Sequence, residues 1–296
     1  MSTNHIDYQY VDNISNQCPN VISSFGIHPW YSHLFKIDDK LNKMEHYTTV
    51  FGKEIDETFS NILPDPISFE THFKVLKNLI QERLDRGNSV CIGEIGLDKL
   101  ARIPNTGWYG ANNSFENDDD DDDDNITDVK LTIYKTSMDH QLFIFNKFLT
   151  LAIDLNLPIS IHNVKTSGII YDILKQNLQN SINGINICMH SYTGSIETVR
   201  LFLKTFNIKK CKSKIYFSFS QVINGEKKSI QDIIRLIPNE YILTETDISM
   251  PLDSNYIDKF QPIELLNEIR LKINEFKNNE VDFIGNFNSY IKRSID

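Results

Sequence analysis

Four short apolar runs in this sequence lead into side chains that can bind a metal ion or move a proton. Cys91-Ile92-Gly93 runs into Glu94, Ile159-Ser160-Ile161 into His162, Ile187-Cys188-Met189 into His190, and Leu243-Thr244-Glu245-Thr246 into Asp247. A single carboxylate or histidine after a buried run is commonly a solvated or structural residue. Two histidines at equivalent places in successive units reverse that weighting. Imidazoles and carboxylates gathered in one pocket form the mixed donor set that holds Zn²⁺, Mn²⁺ or Mg²⁺ and activates water. Gly93 and Gly96, around the first carboxylate, let the backbone pass close to a bound group.

The elements that must position these groups alternate along the chain. Apolar runs predict strands at Val21–Gly26, Val90–Glu94, Pro158–His162, Ile185–His190, Ile215–Ser220 and Tyr241–Asp247. Helical periodicity predicts helices at Phe73–Arg86, Met138–Leu155, Ser167–Leu178, Ser195–Phe206, Ile230–Leu236, Ile263–Phe276 and Val281–Arg293. Strands apolar on both sides belong to a parallel sheet covered by helices. A doubly wound sheet would offer polar strand ends only at its switch point. A closed α/β barrel points every strand end into one pocket, so four metal-capable residues on four strands favour the barrel.

Composition sets the remaining bounds. A chain of 296 residues with 40% hydrophobic content suits one barrel domain. A net charge of −10 argues against a broad basic face for DNA, but not against a cleft that grips phosphates through metal ions. Cys18, Cys91, Cys188 and Cys211 show no pairing pattern and read as free thiols. The N-terminus lacks the basic and apolar regions of a signal peptide, and no run is long enough to span a membrane. A cytoplasmic or nuclear location is expected. Residues 112–127 contain seven consecutive aspartates, Asp118–Asp124, and are expected to form a disordered acidic loop insertion.

The motifs also carry a family resemblance. Gly26-Ile27-His28-Pro29-Trp30, Ile92-Gly93-Glu94-Ile95-Gly96-Leu97-Asp98, Pro158-Ile159-Ser160-Ile161-His162, His190-Ser191-Tyr192-Thr193-Gly194-Ser195 and Glu245-Thr246-Asp247 resemble, in order and spacing, those of TatD-related deoxyribonucleases. Gln141 and Leu151-Ala152 add to the likeness, and a divergent, fungal-like branch fits best. The resemblance implies an α/β, TIM-type (β/α)8 barrel, two divalent metal ions, and hydrolysis of phosphodiester bonds, including 3′-to-5′ removal of nucleotides from DNA. It implies that Glu94 bridges both metals and that His162 and His190 are ligands of one of them. Asp247 would be a ligand that also orients or deprotonates the attacking water. His28 would contact the substrate phosphate, or else be a turn histidine held by Pro29. Asp98 would fix a ligand's geometry or cap the following segment.

Two departures accompany the resemblance. Family members begin with a strand ending in a His-x-His pair that supplies two ligands, and this sequence contains no such pair. Met1-Ser2-Thr3-Asn4 matches the end of the family's second strand, so the barrel is expected to lack the first strand and most of the second. The expectation is a truncated gene model, with weak or no activity in the 296-residue form. Where many members carry an arginine after the first strand-end histidine, this chain has Asn163-Val164-Lys165, so Lys165 is the candidate phosphate-facing cation. Ile248-Ser249-Met250-Pro251 also replaces the family's usual Ala-Pro. Two other readings stand beside the nuclease: an amidohydrolase-type enzyme acting on a small amide or ester, and a non-catalytic interaction protein.

Overall fold

The computed structural model describes residues 1–110, 130–181, 183–227, 229–248 and 261–292. The acidic stretch 112–127 and Ser249-Met250-Pro251 lie outside them. The expected alternation is present. After α1 (Tyr8–Gln17) come β1 (Ser23–Phe25), the short pair β2 (Phe35–Lys36) and β3 (Ile67–Ser68), and between those two α2 (Lys43–Phe51) and α3 (Glu57–Ile62). The chain continues through α4 (Phe69–Asp85), β4 (Val90–Asp98), α5 (Met138–Leu155), β5 (Ile159–Val164), α6 (Ser167–Leu178), β6 (Asn186–Met189) and α7 (Ile196–Phe206). It closes with β7 (Lys214–Ser220), α8 (Gln221–Asn224), α9 (Ile230–Leu236), β8 (Ile242–Glu245), α10 (Pro262–Lys277) and α11 (Phe283–Ile291).

The main sheet has six parallel strands in the order β1-β4-β5-β6-β7-β8. The order runs in one direction with no reversal. That is the order of a barrel wall and not of a doubly wound sheet, whose order reverses at a switch point. Ser2 ties β1 to β4: its N–H donates to the Ser24 carbonyl at 2.8 Å, and its own carbonyl accepts from Glu94 N at 3.1 Å. At the other end, Asn286 of α11 donates to the carbonyls of Asn239 and Ile242 at 2.6 and 2.8 Å.

The core lies mainly between the sheet and its helices. Ile92, Ile95, Ile159, Ile161, Ile187, Ile215 and Phe217 meet Leu76 and Ile80 of α4, Phe145 and Phe148 of α5, and Phe202 of α7. Each such side chain contributes about 1.5–3 kcal/mol through removal from water. A smaller cluster fills the concave side. Cys91, Cys188, Tyr216 and Leu243 pack there around Tyr290 of α11. All four cysteines are free thiols, three of them buried, and burial pushes the Cys91 and Cys188 thiols up to about 12. No helix among the described residues is long and apolar enough to cross a membrane.

Candidate metal centre

Strand ends deliver the side chains. In β4 the pairing with β5 shifts between Ile92 and Ile95, so three steps on one strand match two on the other. Such a bulge re-aims a side chain at a barrel rim, and here the re-aimed residue is Glu94. Gly96 permits the close strand passage that follows. A Cβ there would meet the His162 carbonyl oxygen at 2.0 Å, and its φ of +154° is strained for other residues. His162 sits in β5, His190 directly after β6, Glu245 at the end of β8, and Asp247 two residues later.

These side chains converge on one oxygen. Glu94 Oε1 lies 3.5 Å from His28 Nε2, 3.2 Å from His162 Nδ1 and 3.4 Å from His190 Nε2. Two donor groups flank it, His28 with Glu94 and His162, and His190 with Glu245 and Asp247, each close enough to share one ion. His190 Nε2 is 2.9 Å from Asp247 Oδ1, and its Nδ1 is 2.6 Å from Glu245 Oε2. Glu245 is in turn held by the Ser191 N–H at 2.6 Å.

Asp98 uses its two oxygens differently. Its Oδ1 accepts from Leu100 N and Ala101 N at 2.7 and 2.9 Å, capping the segment beyond β4. Its Oδ2 accepts from the Trp30 indole at 2.8 Å and faces His162 Nε2 at 3.3 Å. Gln141 of α5 clamps the Asp98 backbone, accepting from its N–H at 2.8 Å and donating to its carbonyl at 3.0 Å.

The electrostatics follow from crowding carboxylates and imidazoles out of water. Burial opposes ionisation of Glu94, but His190, His28 and His162 outweigh it and hold its carboxyl well below the usual range. Burial likewise works against a charged His190, yet Glu245, Glu94 and Asp247 raise its pKa well above the ordinary histidine value. His162 is raised by Asp98 and Glu94 against the same burial penalty. His28 goes the other way, lowered first by burial and then by the neighbouring His162. Asp247 is lowered because its hydrogen bond and attraction to His190 outweigh burial. Asp98 falls to about 2, since His162 and Trp30 overcome its desolvation.

The donor set fits divalent cations. Glu94, Asp98, Glu245 and Asp247 bring four carboxylates together, with His28, His162 and His190 set among them. His190 Nδ1 is buried without an aligned hydrogen bond, close as Glu245 is. A cation would take over the neutralising charge and leave the imidazoles as neutral nitrogen donors. Of the residues singled out from sequence, Glu94, His162, His190 and Asp247 thus meet, with both histidines against the same Glu94 oxygen. His28 joins the His162 side. Lys165 is exposed, with a φ of +57°, and among the described residues no hydrogen bond or ion pair links it to the cluster. Glu245 was not singled out. It stands two residues before Asp247, a spacing that puts both side chains on one face of an extended chain.

The comparison with known families decides what this centre belongs to. The family model described as TatD related DNase matches residues 1–284. The chain belongs to the TatD-related DNase family. Its class is accordingly that of metal-dependent hydrolases. It is 35% identical over 262 residues to an uncharacterized deoxyribonuclease of Saccharomyces cerevisiae, covering 86% of this chain and 75% of that one. It is 29% identical over 280 residues to the Cut9-interacting protein scn1 of Schizosaccharomyces pombe, covering 83% and 78%. The fold matches a solved TatD homologue of Escherichia coli with a TM-score of 0.54 at 16% identity, covering 100% of this chain and 85% of that one. It also matches an uncharacterized amidohydrolase of Saccharomyces cerevisiae with a TM-score of 0.57 at 14% identity, covering 98% and 84%. These matches bear out the barrel expected for TatD-related chains.

Proposed function

We propose that this chain is a phosphodiesterase acting on DNA, shortening strands from their 3′ ends with two divalent cations that share Glu94. The observation that carries this reading is the convergence of His28, His162 and His190 on one carboxylate oxygen. In this reading His28 and His162 complete one cation position, and His190, Glu245 and Asp247 the other. Mg²⁺ or Mn²⁺ suits the carboxylate content, and Zn²⁺ the histidines. When bound, the cations neutralise a phosphate's charge and make water more acidic.

The protein's own groups do the rest. Asp247 is held ionised beside His190, so it can accept a proton from the attacking water. Asp98 fixes the His162 ring from behind. Lys165, exposed just beyond β5, would meet a substrate phosphate as a point charge. His28, whose pKa burial lowers, would offer its Nε2 to a cation, since its Nδ1 accepts from Trp30 N.

A 5′-labelled single-stranded oligonucleotide incubated with the protein and Mg²⁺ or Mn²⁺ tests the proposal. Stepwise shortening from the 3′ end is expected, and it should stop on chelation and in Glu94→Gln. Absence of cleavage with Mg²⁺, Mn²⁺ and Zn²⁺ alike would overturn it.

A further inference from the structure

Beside the donor cluster lie two aromatic rings that holding cations does not require. Trp30 and Tyr109 pack with centroids 4.9 Å apart and planes inclined by 33°. Trp30 stays 37% exposed, and Tyr109 is half-buried. The indole is fixed by its N–H, which donates to Asp98 Oδ2 at 2.8 Å. Its ring meets the His28 ring edge-on, with centroids 5.2 Å apart, and lies 6.3 Å from the His162 ring. Both histidines belong to the Glu94 group, so an anchored aromatic surface begins where the cation donors end.

A nucleotide places an aromatic base next to its own phosphate, and that base offers a free face only when it is unpaired. Proteins that bind single strands without reading sequence combine backbone neutralisation with stacking on such side chains. We propose that Trp30 and Tyr109 form a stacking platform for the unpaired base adjoining the phosphate that is cleaved. The proposal rests on the phosphodiesterase reading and adds to it a preference for frayed or single-stranded ends. The charge of the chain points the same way. With a net charge of −10 little affinity can come from a long-range basic field, and stacking supplies attraction that needs no positive surface. A purely structural indole would need its hydrogen bond to Asp98, but would gain nothing from staying 37% exposed beside the site.

The test compares two 5′-fluorescein oligothymidylates with cleavage-resistant phosphorothioate linkages, one ending in thymidine and one in an abasic residue. Fluorescence anisotropy is read with the Mg²⁺-loaded protein. The wild type should bind the intact end about tenfold more tightly, at the lower end of what one stacked base contributes. Trp30→Leu and Tyr109→Leu should bind both ends alike, whereas Trp30→Phe, which keeps a ring and loses the N–H, should retain most of the preference. Equal binding of the two ends by the wild type, or binding of neither, overturns the platform. Discrimination between these ends, with no shortening of the unmodified 5′-labelled oligonucleotide, would refute the phosphodiesterase reading alone, and shortening of that oligonucleotide without discrimination here would refute the platform alone.

Discussion

The chemistry of the centre depends on how each donor is held as much as on its identity. His162 illustrates this: one ring nitrogen faces Glu94 at 3.2 Å and the other faces Asp98 at 3.3 Å. A ligating histidine whose second nitrogen is fixed by a carboxylate keeps one tautomer and one orientation. Asp98→Asn is therefore expected to lower Mn²⁺ affinity or activity by about 10–100-fold. Calorimetric titration with Mn²⁺ checks this, and unchanged affinity and activity would show that Asp98 serves only as a cap. Glu245→Gln tests the residue that sequence reading passed over. It should weaken Mn²⁺ binding while leaving the Ser191 N–H with an oxygen acceptor, so that a change in affinity without a change in stability marks Glu245 as a donor.

Among the elements, the close passage of β4 and β5 and the clamp from α5 hold the centre in place. Gly96→Ala would drive a Cβ into the His162 carbonyl at a φ of +154°. Overpacking and backbone strain together should cost about 3 kcal/mol, read as a lower urea midpoint. A variant as stable as the wild type would mean that the strands part at little cost. Gln141→Ala would strand the Asp98 N–H and carbonyl without partners, at about 1–3 kcal/mol. Much of this level was legible in sequence. Met138–Leu155, Ser167–Leu178 and Ile230–Leu236 form over the expected residues, because their apolar stripes are unbroken. The α4 helix starts at Phe69 and not at Phe73, since Ser68 caps it by accepting from Thr71 N. No long apolar stripe announces α1: its sequence YQYVDNISNQ is largely polar, and Asp12 ties it to the fold through a salt bridge with buried Arg83 at 2.7 Å. Single strand-end residues such as Glu94 and His190 could be found because each follows an apolar run. Their division into two groups around Glu94 depends on the β4 bulge, which no local pattern announces.

At the scale of the whole molecule, buried histidines set the response to acid. Burial lowers His33 to about 3, and His72 and His140 to about 4, from an ordinary value of 6.5. These groups stay neutral in the folded chain while the unfolded chain takes up protons below pH 6.5. Stability is therefore undiminished above that pH and falls as pH drops from 6.5 toward 4, by up to about 1.4 kcal/mol per pH unit for each histidine. His162 and His190, whose pKa values are raised, contribute in the opposite sense, with stability lost as pH rises through their folded values. A substitution isolates the effect. His72 packs between Tyr8 and Phe35 with its Nε2 unpaired. Between pH 7.5 and 5.5, His72→Leu should lose about 1.4 kcal/mol less than the wild type in urea unfolding. Equal losses would mean that His72 titrates normally in the folded chain.

The most direct test of the central claim is anomalous diffraction from crystals of this chain soaked in Mn²⁺. Density for two ions is expected, both within bonding distance of the Glu94 carboxylate, one also touching His28 and His162 and the other His190 and Asp247. Saturating Mn²⁺ that leaves no anomalous peak beside Glu94 would contradict the account.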